Sequence, residues 1–158
     1  KIVLKDLKKT KILFLDSFFI SYRKTKLKKG QFIHSIRIPL FPNNIFKAYK
    51  VSKRFDDDIS SVCGAFNIEI VKNRVKNIRI AYGGMAVTPK RAFYCEKIIL
   101  NSIFTEEVIN EAKKALEKDF EPISDMRASK LYRMEVAKNL LEKCYAEIKQ
   151  KKLIGINV

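Results

Sequence analysis

Apolar and polar residues alternate along three consecutive stretches in the middle of this 158-residue chain. A period of two places every second side chain on the same face, which is the pattern of a half-buried β-strand. The connections are short, and the second falls at Asn73-Arg74. Short connections between successive strands favour an antiparallel meander. The predicted strands are Phe46 to Arg54, Ser60 to Val71 and Val75 to Tyr82.

The alternating pattern gives way to a helical period after Gly83-Gly84. Thr88 has the residue type preferred at a helix N-cap, and Pro89 has the type favoured at the first helical position. We therefore predict a first helix from this point to about Asn101. Its buried face is predicted to hold Ala92, Cys95 and Ile99.

Two further helices are predicted in the second half of the chain. The second begins at Thr105, and the carboxylates of Glu106 and Glu107 lie in its first turn, where the helix dipole favours negative charge. The third begins at Ser124-Asp125 and reaches about Gln150. Strands followed by helices indicate an α+β fold. The predicted inward positions are Val108, Ile109, Ala112, Ala115 and Leu116 in the second helix, and Ala128, Leu131, Tyr132, Val136, Leu140, Leu141, Cys144 and Ile148 in the third.

The start of the chain carries shorter apolar runs, Ile2 to Leu4 and Ile12 to Leu15, around a lysine-rich turn. They predict a β-hairpin, and because such short strands are unstable alone, we expect it to complete a sheet with strands upstream. A further strand begins at Phe32 and is predicted to end at Pro39. Phe41 to Asn44 has the composition of a linker. The predicted parts are residues 1–42, a domain of residues 43–150 and a tail of residues 151–158.

The most abrupt change of character lies between Ala48 and Phe66. An apolar strand that contains Lys50 ends in Lys53-Arg54, and the acidic run Asp56 to Asp58 follows directly. Alternate side chains of an extended segment face opposite ways, so three adjacent Asp residues cannot all ligate one ion. A solvated charged turn and a metal-binding role both stay open. The amine of Lys50 needs a partner within an apolar strand.

The charge and cysteine content narrow the possible classes of protein. The net charge of +16 comes mostly from lysines spread along the whole chain, so we interpret it as a solvated surface. A nucleic-acid module is an alternative that rests on charge alone. No apolar run is long enough to span a bilayer, and no signal peptide is visible. Three distant cysteines indicate a reducing, cytoplasmic setting and core positions for Cys63, Cys95 and Cys144.

No catalytic constellation can be assembled from these residue types. His34 is the only histidine and alternates with apolar residues in a strand, which favours a structural role on a polar face. No phosphate-binding or dinucleotide-binding glycine motif is present. Gly83-Gly84 lies between a strand and a helix, where it could cradle an anion on backbone amides or form a plain tight turn. We therefore predict no catalytic residue and no metal ligand.

Four segments carry a family resemblance. In chain order they read FFISYRKTKLKKGQFIHSIRIP, YKVSKRFDDDISSV, RIAYGGMAVTPKRA and DFEPISDMRASKLYRMEVAKNLL. Together they resemble the FAD-binding subunit of bacterial xanthine dehydrogenase from about Phe14 to Leu141. The resemblance implies the last strands of an FAD-binding domain, followed by a smaller domain with a three-stranded antiparallel sheet and a three-helix bundle. The family's glycine-rich pyrophosphate segment and iron–sulfur cysteine motifs are absent, so we expect a fragment that is inactive alone.

The resemblance implies a role in electron transfer. In this family a molybdenum cofactor on a large subunit oxidises a purine, 2Fe-2S clusters relay the electrons to FAD, and FAD reduces NAD. By motif, Ile33 would pack near the flavin, Lys50 would contact the cofactor, Asp57 would belong to a loop beside the isoalloxazine ring, and Tyr22 would line the same side. Arg127 is expected to tie the start of the third helix to the sheet. The implied partners are the molybdenum-binding large subunit and the upstream iron–sulfur and FAD-binding domains; neither nucleic acid nor a membrane is expected.

Two other functional interpretations stay open. One is the flavoprotein subunit of a sibling molybdenum hydroxylase, such as carbon monoxide dehydrogenase. The other is a subunit-interaction module without a redox role, which flavin binding would distinguish. The loop that contains Asp57 is expected to tune the flavin or to gate the nicotinamide. If so, Asp57→Ala alters NAD reduction more than purine oxidation, and equal loss of both activities would contradict this hypothesis.

Overall fold

The computed structural model describes residues 1–54 and 58–150. In these ranges the chain forms nine strands, a 3₁₀ turn at Leu15–Ser17 and three α-helices. The strands are β1 (Ile2–Lys5), β2 (Thr10–Leu13), β3 (Phe19–Ser21), β4 (Lys24–Thr25), β5 (Phe32–Ile36), β6 (Asn44–Val51), β7 (Val62–Val71), β8 (Arg74–Gly83) and β9 (Lys90–Arg91). The helices are α1 (Phe93–Ile99), α2 (Glu106–Asp119) and α3 (Lys130–Gln150).

The N-terminal part forms a small sheet with β1 at its centre. β1 pairs antiparallel with β2 on one side and with β5 on the other. The predicted hairpin is thus confirmed, whereas the strand that begins at Phe32 ends at Ile36 rather than at Pro39. β3 and β4 form a separate hairpin whose tip is Tyr22-Arg23. The buried apolar side chains here are few: Ile2, Val3, Leu4 and Phe18.

The second sheet is an antiparallel meander in the order β6-β7-β8-β9. Its first three strands confirm the predicted meander, with bounds shifted by a few residues. Lys72 and Asn73 close the β7–β8 hairpin with positive φ angles of 49° and 61°, as a two-residue turn requires. The fourth strand was not predicted; it pairs Lys90 and Arg91 with the end of β8.

The core lies between this sheet and the three helices, which confirms the α+β fold. Alternate residues of β7 and β8 face the helices, and the ring centroids of Phe66 and Tyr82 are 5.7 Å apart. Tyr82 also packs edge-on against Phe120 at 5.5 Å, and its hydroxyl donates to the carbonyl of Ala137 at 2.9 Å. The sheet and the helices are therefore held together by the burial of apolar side chains and by a buried hydroxyl whose hydrogen bond is made.

The first helix begins later than predicted. Residues Lys90 and Arg91 extend the sheet, so Thr88 does not cap a helix, and α1 begins at Phe93. The free amides of Tyr94 and Cys95 donate instead to the carboxylate of Asp119, at 3.0 and 2.9 Å. Asp119 ends α2, so a distant side chain supplies the cap that local sequence could not reveal. The predicted buried positions Ala92, Cys95 and Ile99 are confirmed.

The second helix agrees with its prediction. α2 follows Thr105 and carries Glu106 and Glu107 in its first turn. Thr105 is the N-cap residue, although its side chain makes no capping hydrogen bond to the backbone. The buried residues confirm the predicted stripe: Ile109, Ala112, Ala115 and Leu116 are buried, and Val108 packs against them.

The third helix differs from its prediction at its N-terminal end. α3 begins at Lys130, and Leu131 and Tyr132, predicted to face inward, are exposed. Arg133 and Ala137 are buried instead. The helix turns Arg133 toward the sheet because the guanidinium bonds to carbonyls of two other chain segments. The later inward positions Leu140, Leu141 and Cys144 are confirmed.

The cysteines are all free. Cys95 and Cys144 are buried, as predicted, whereas Cys63 is only half-buried on β7. Burial raises the pKa of the Cys144 thiol to about 12. None of the described helices combines the length and the apolar character that crossing a membrane would need.

Candidate functional site

The segment before α3 is a turn built on the Asp125 carboxylate. Asp125 Oδ1 accepts hydrogen bonds from the backbone amides of Arg127 and Ala128, at 2.9 and 3.1 Å. Such a turn is a common use of aspartate, and it delays the helix to Lys130. The hydroxyl of Ser124 accepts the Lys130 amide at 2.9 Å. Ser124 therefore accepts the first amide of α3 from six residues away, whereas Asp125 shapes the turn that leads to the helix.

Arg133 is the central residue of the site. It is 3% exposed, and its Nη2 donates to Asp125 Oδ1 at 2.7 Å. Its Nη1 donates to the carbonyl of Ser61, where β7 begins, and to the carbonyl of Gly84 at 2.9 Å. A buried guanidinium is stable only when its donors are used. Among the described residues, Arg133 Nε has no hydrogen-bond partner.

The side chain of Arg133 ties the third helix to the sheet, and Arg127, for which this role was predicted, contacts Ser61 beside β7 through its backbone carbonyl. Arg127 lies in the turn, 3.9 Å from the carboxylate of Asp125. Its carbonyl accepts a long hydrogen bond of 3.5 Å from the hydroxyl of Ser61. Six residues separate Arg127, in the turn before α3, from Arg133, which lies in the first turn of α3 and is buried.

Gly84 allows this junction to close. Its φ is +80°, and a Cβ added there would lie 2.2 Å from the carbonyl oxygen of Ser61 and 3.1 Å from Nη1 of Arg133. Only glycine accepts this conformation and this approach. The sequence left two interpretations of Gly83-Gly84 open, an anion-binding cradle of backbone amides and a plain tight turn. Because a carbonyl oxygen faces Gly84, the geometry matches the plain tight turn.

The electrostatics of the junction favour an ionised Asp125. The backbone amide of Arg127 and the guanidinium of Arg133 lower the pKa of Asp125 from 3.8 to about 2. Hydrogen bonds to the charged form and a nearby cation both favour ionisation. The carboxylate therefore stays negative through the physiological range and neutralises the buried arginine.

A cleft of about 330 Å³ opens beside this junction, and we name it the Tyr22 cleft. The tip of the β3–β4 hairpin brings Tyr22, which is 68% exposed, to a wall formed by the segment after β8, the segment before α3 and the start of α3. Arg23 lies over the Tyr22 ring at 5.3 Å. The cleft combines one aromatic ring, aliphatic walls and two carboxylates. Its lining residues are Tyr22, Gly84, Ala86, Val87, Glu121, Ile123, Asp125 and Arg133.

A second cleft lies on the other side of the junction, between the end of β6 and the start of α3. We name it the Lys53 cleft; its volume is about 350 Å³. Lys53 Nζ donates to the carbonyl of Met126 at 2.7 Å, so the amine is held by the turn before α3. The lining residues are Ser52, Lys53, Ser61, Arg127, Ala128, Ser129 and Tyr132.

Three of the four residues predicted to lie near the flavin are described by the structure, and they lie on three different strands or loops. Tyr22 lines the cleft that bears its name. Ile33 is 47% exposed on β5, opposite Leu4 of β1. Lys50 lies on β6, opposite Cys63, and its side chain is exposed. Neither Ile33 nor Lys50 is among the lining residues of the Tyr22 cleft.

The acidic run is only partly described. Asp57 lies outside the described residues, as does Asp56. Asp58 forms an ion pair with Arg54 at 3.5 Å, and this arginine lowers the pKa of Asp58. The same oxygen, Oδ1, also accepts a hydrogen bond from the amide of Ile59 at 2.8 Å.

Sequence reasoning missed Arg133, Glu121 and Ile123 as members of the site. A signal for Arg133 was present, because it lies four residues before Ala137 on the stripe that continues through Leu140, Leu141 and Cys144. A cation on an otherwise apolar stripe indicates a buried charge with fixed partners. Glu121 and Ile123 carry no comparable signal, since they lie in an irregular connection.

Comparisons with known proteins agree on the type of domain. Residues 47–148 match the CO dehydrogenase flavoprotein C-terminal domain family. The chain is 28% identical over 131 residues to the glyceraldehyde dehydrogenase medium chain of Sulfolobus acidocaldarius, covering 83% of this chain and 46% of that protein. It is 34% identical over 123 residues to a xanthine dehydrogenase of Emericella nidulans, covering 75% of this chain and 9% of that protein.

Solved structures show the same fold. Carbon monoxide dehydrogenase from Hydrogenophaga pseudoflava matches with a TM-score of 0.82 and 25% identity, covering 89% of this chain and 49% of that chain. Quinoline 2-oxidoreductase from Pseudomonas putida matches with a TM-score of 0.83 at 18% identity, which bears on fold alone. The chain thus spans about half the length of the medium chains it matches.

Proposed function

Because this chain belongs to the CO dehydrogenase flavoprotein C-terminal domain family, we propose that it forms part of the flavin module of a xanthine dehydrogenase-like molybdenum hydroxylase. In this proposal it helps to hold FAD, which receives electrons from iron–sulfur clusters and passes them to NAD. A large molybdenum-binding subunit and upstream iron–sulfur and FAD-binding domains complete the enzyme. The three free cysteines fit a reducing compartment, in line with a cytoplasmic location.

The observation that carries the proposal is the Tyr22 cleft. It is formed by the β3–β4 hairpin together with the segments after β8 and before α3, and it is lined mainly by apolar groups with a few polar ones. A cleft of this size and character suits a flat aromatic ring that is oriented by a small number of polar contacts. Tyr22 offers an aromatic ring, Val87 and Ile123 offer aliphatic surface, and Glu121 and Asp125 offer polar groups.

FAD, when bound, supplies the acceptor and donor of an electron pair; the protein's residues bind and orient the rings. The fit is partial, since the ring cleft is present while no glycine-rich cradle for a pyrophosphate occurs in the sequence. Tyr22 would stack beside the redox rings, and the carboxylate of Glu121 would favour a positively charged partner ring such as oxidised nicotinamide, since the charge of Asp125 is already paired with Arg133. Arg133 would hold Asp125 in place at the cleft wall.

Lys50, Ile33 and Asp57 keep the roles proposed from the resemblance. Lys50, exposed on β6, would contact the cofactor, and a cation there would favour negative charge on reduced flavin. Ile33 offers a half-exposed aliphatic surface on β5. Asp57 would neighbour the same ring, and its contribution rests on the resemblance alone.

The second candidate is the flavoprotein subunit of a sibling molybdenum hydroxylase. Medium chains of carbon monoxide and glyceraldehyde dehydrogenases match 81% and 83% of this chain, so they support this branch as well as the xanthine dehydrogenases do. The two candidates share FAD and differ in the electron acceptor. A complete enzyme that reduces artificial acceptors but never NAD would favour the sibling.

The proposal is tested with Tyr22→Ala in the assembled enzyme that contains this chain. Loss of one stacking contact is expected to slow NAD reduction about fivefold, because such contacts contribute ~1 kcal/mol. Turnover with an artificial acceptor should stay near normal. Tyr94→Ala is the matched control, since Tyr94 is also exposed but lies on α1 and not in the cleft. Equal behaviour of the two variants would contradict the role of the cleft, and failure of the wild-type complex to bind FAD would refute the flavin module.

A further inference from the structure

Glu147 is a buried carboxylate near the end of α3, away from both clefts. It is 3% exposed. Its Oε2 accepts the hydroxyl of Tyr49 at 2.9 Å and pairs with Nζ of Lys47 at 2.9 Å. Its Oε1 lies 3.9 Å from Nζ of Lys143 on the same helix. A buried carboxylate with two cations and a hydroxyl is a fixed ionic centre rather than a solvated surface charge.

The Tyr49 ring fills the space around this centre. Its centroid lies 5.8 Å from that of Phe66, and Lys143 Nζ lies 5.2 Å from it on another side. Burial, followed by the neighbouring Cys144 and Glu147, raises the pKa of Tyr49. The hydroxyl therefore remains a donor, and its bond to Glu147 persists over the physiological range.

Among the described residues, Lys47 and Tyr49 contact Glu147 from outside α3, and both lie on one strand. Lys47 and Tyr49 are alternate residues of β6 and face the helices. The residues that alternate with them along β6 face the opposite side of the sheet, because side chains alternate along a strand. These residues are Phe46, Ala48 and Lys50. β6 is the edge of the sheet and pairs with β7 alone. An edge strand has backbone bonds on one side only, so its side-chain anchors decide how far it can move.

We propose that Glu147 is a positioning residue for Lys50. By binding Lys47 and Tyr49, it holds β6 against α3 and so fixes where the strand presents the Lys50 amine on the outer face. This inference rests on the proposed function, in which Lys50 contacts the flavin. Glu147 itself touches no cofactor. Its influence on the flavin passes through the strand, over the three residues from Lys47 to Lys50.

The variant that tests this inference is Glu147→Gln in the assembled enzyme. It keeps the shape and an acceptor oxygen but removes the charge that both lysines bind. We expect the FAD dissociation constant to rise about threefold, and the ratio of reduced to oxidised flavin against a redox dye to fall by a similar factor. Glu142→Gln is the matched control: it is on the same helix and pairs with Lys113, but it is exposed and does not contact β6. The control should behave as wild type.

A double-mutant comparison with Lys50→Met separates this inference from the function on which it rests. If Glu147 acts through Lys50, Glu147→Gln has no further effect in the Lys50→Met background. A full additive effect there would overturn the positioning role. If Lys50→Met changes both flavin readouts while Glu147→Gln changes neither, the inference fails and the proposed function stands. If Lys50→Met changes neither readout, the proposed contact between Lys50 and the flavin fails.

Tyr49→Phe provides an independent route should Glu147→Gln fold poorly. It removes only the hydroxyl that donates to Glu147 and keeps the ring that packs against Phe66. We expect the same direction of change in both readouts, with a smaller size, because the Lys47 contact remains. Wild-type values of both readouts in folded Tyr49→Phe and Lys47→Met would overturn the proposal.

Discussion

Residues 1–42 and residues 43–150 bury their apolar side chains to very different extents. In the first part four apolar residues are buried, and fourteen large ones are exposed, among them Phe14, Phe32, Ile38 and Leu40. In the second part a continuous core joins β6, β7 and β8 to all three helices. The second part therefore has the apolar burial that an independently stable domain needs, and the first part does not.

The two parts also differ in how they handle charge. Residues 1–42 contain eleven Lys and Arg residues and two Asp residues, and within this fully described range no ion pair forms. In the second part, cations are paired at Glu147, Glu96, Asp125 and Glu117. The exposed apolar surface of residues 1–42 is larger than is usual for the solvent-facing surface of a protein. The difference favours the proposal that the first part belongs to a larger FAD-binding domain.

The largest expected effect separates the two parts directly. Phe66→Ala removes a fully buried ring from the core and should lower the free energy of unfolding by ~3–5 kcal/mol. Phe32→Ala removes a half-exposed ring of the first part and should lower it by less than about 1 kcal/mol. Urea denaturation followed by circular dichroism measures both. Similar losses in the two variants would mean that the first part shares the core of the second.

A smaller effect is expected at the junction between the sheet and α3. Gly84→Ala places a Cβ 2.2 Å from the Ser61 carbonyl at a positive φ, so about 2–3 kcal/mol of stability should be lost. Gly83→Ala is the control, because its added Cβ meets only Cys63, at 3.8 Å. Thermal unfolding of both variants tests the difference. A Gly84→Ala protein as stable as Gly83→Ala would show that the Arg133 junction can open without cost.

The smallest effect concerns pH. The pKa of Asp125 in the folded protein, about 2, is below its ordinary value of 3.8, so its carboxylate stabilises the fold above about pH 4. That contribution is lost as the pH falls toward 2. Asp125→Asn should therefore be less stable than wild type at pH 7, and the gap should close in acid. Asp16→Asn changes an exposed residue of the first part, and its stability should equal that of wild type at every pH. A stability difference between Asp125→Asn and wild type that is the same at every pH would contradict the argument.

Local patterns were enough to predict most of the second part. The alternation in β6, β7 and β8 and the apolar stripe of α2 are properties of short windows, and the structure confirms them. The start of α1 was mispredicted because its cap comes from Asp119, twenty-five residues away from Tyr94. Thr88-Pro89 carried the local signal for a cap, but β9 extends the sheet at that point.

The site was harder to predict than the fold. Tyr22 was identified from the resemblance, and the structure places it in a cleft. Arg127 was named from the sequence and Arg133 was not, because the partners that distinguish Arg133 become visible only in the structure. Those partners, Ser61 and Gly84, are backbone carbonyls and leave no trace in the sequence.

The Arg133 junction also bears on the order in which the chain folds. Its bonds join segments that are 72 and 49 residues apart along the chain, while the bond to Asp125 spans only eight. Closing a long loop costs conformational entropy before the contacts at its ends can form and stabilise it. We therefore expect the two distant bonds to form at a late stage of folding. Until these bonds form, water solvates the guanidinium, and burying it without its partners would cost free energy. Arg133→Met should therefore speed unfolding far more than it slows refolding, which stopped-flow kinetics in urea would measure.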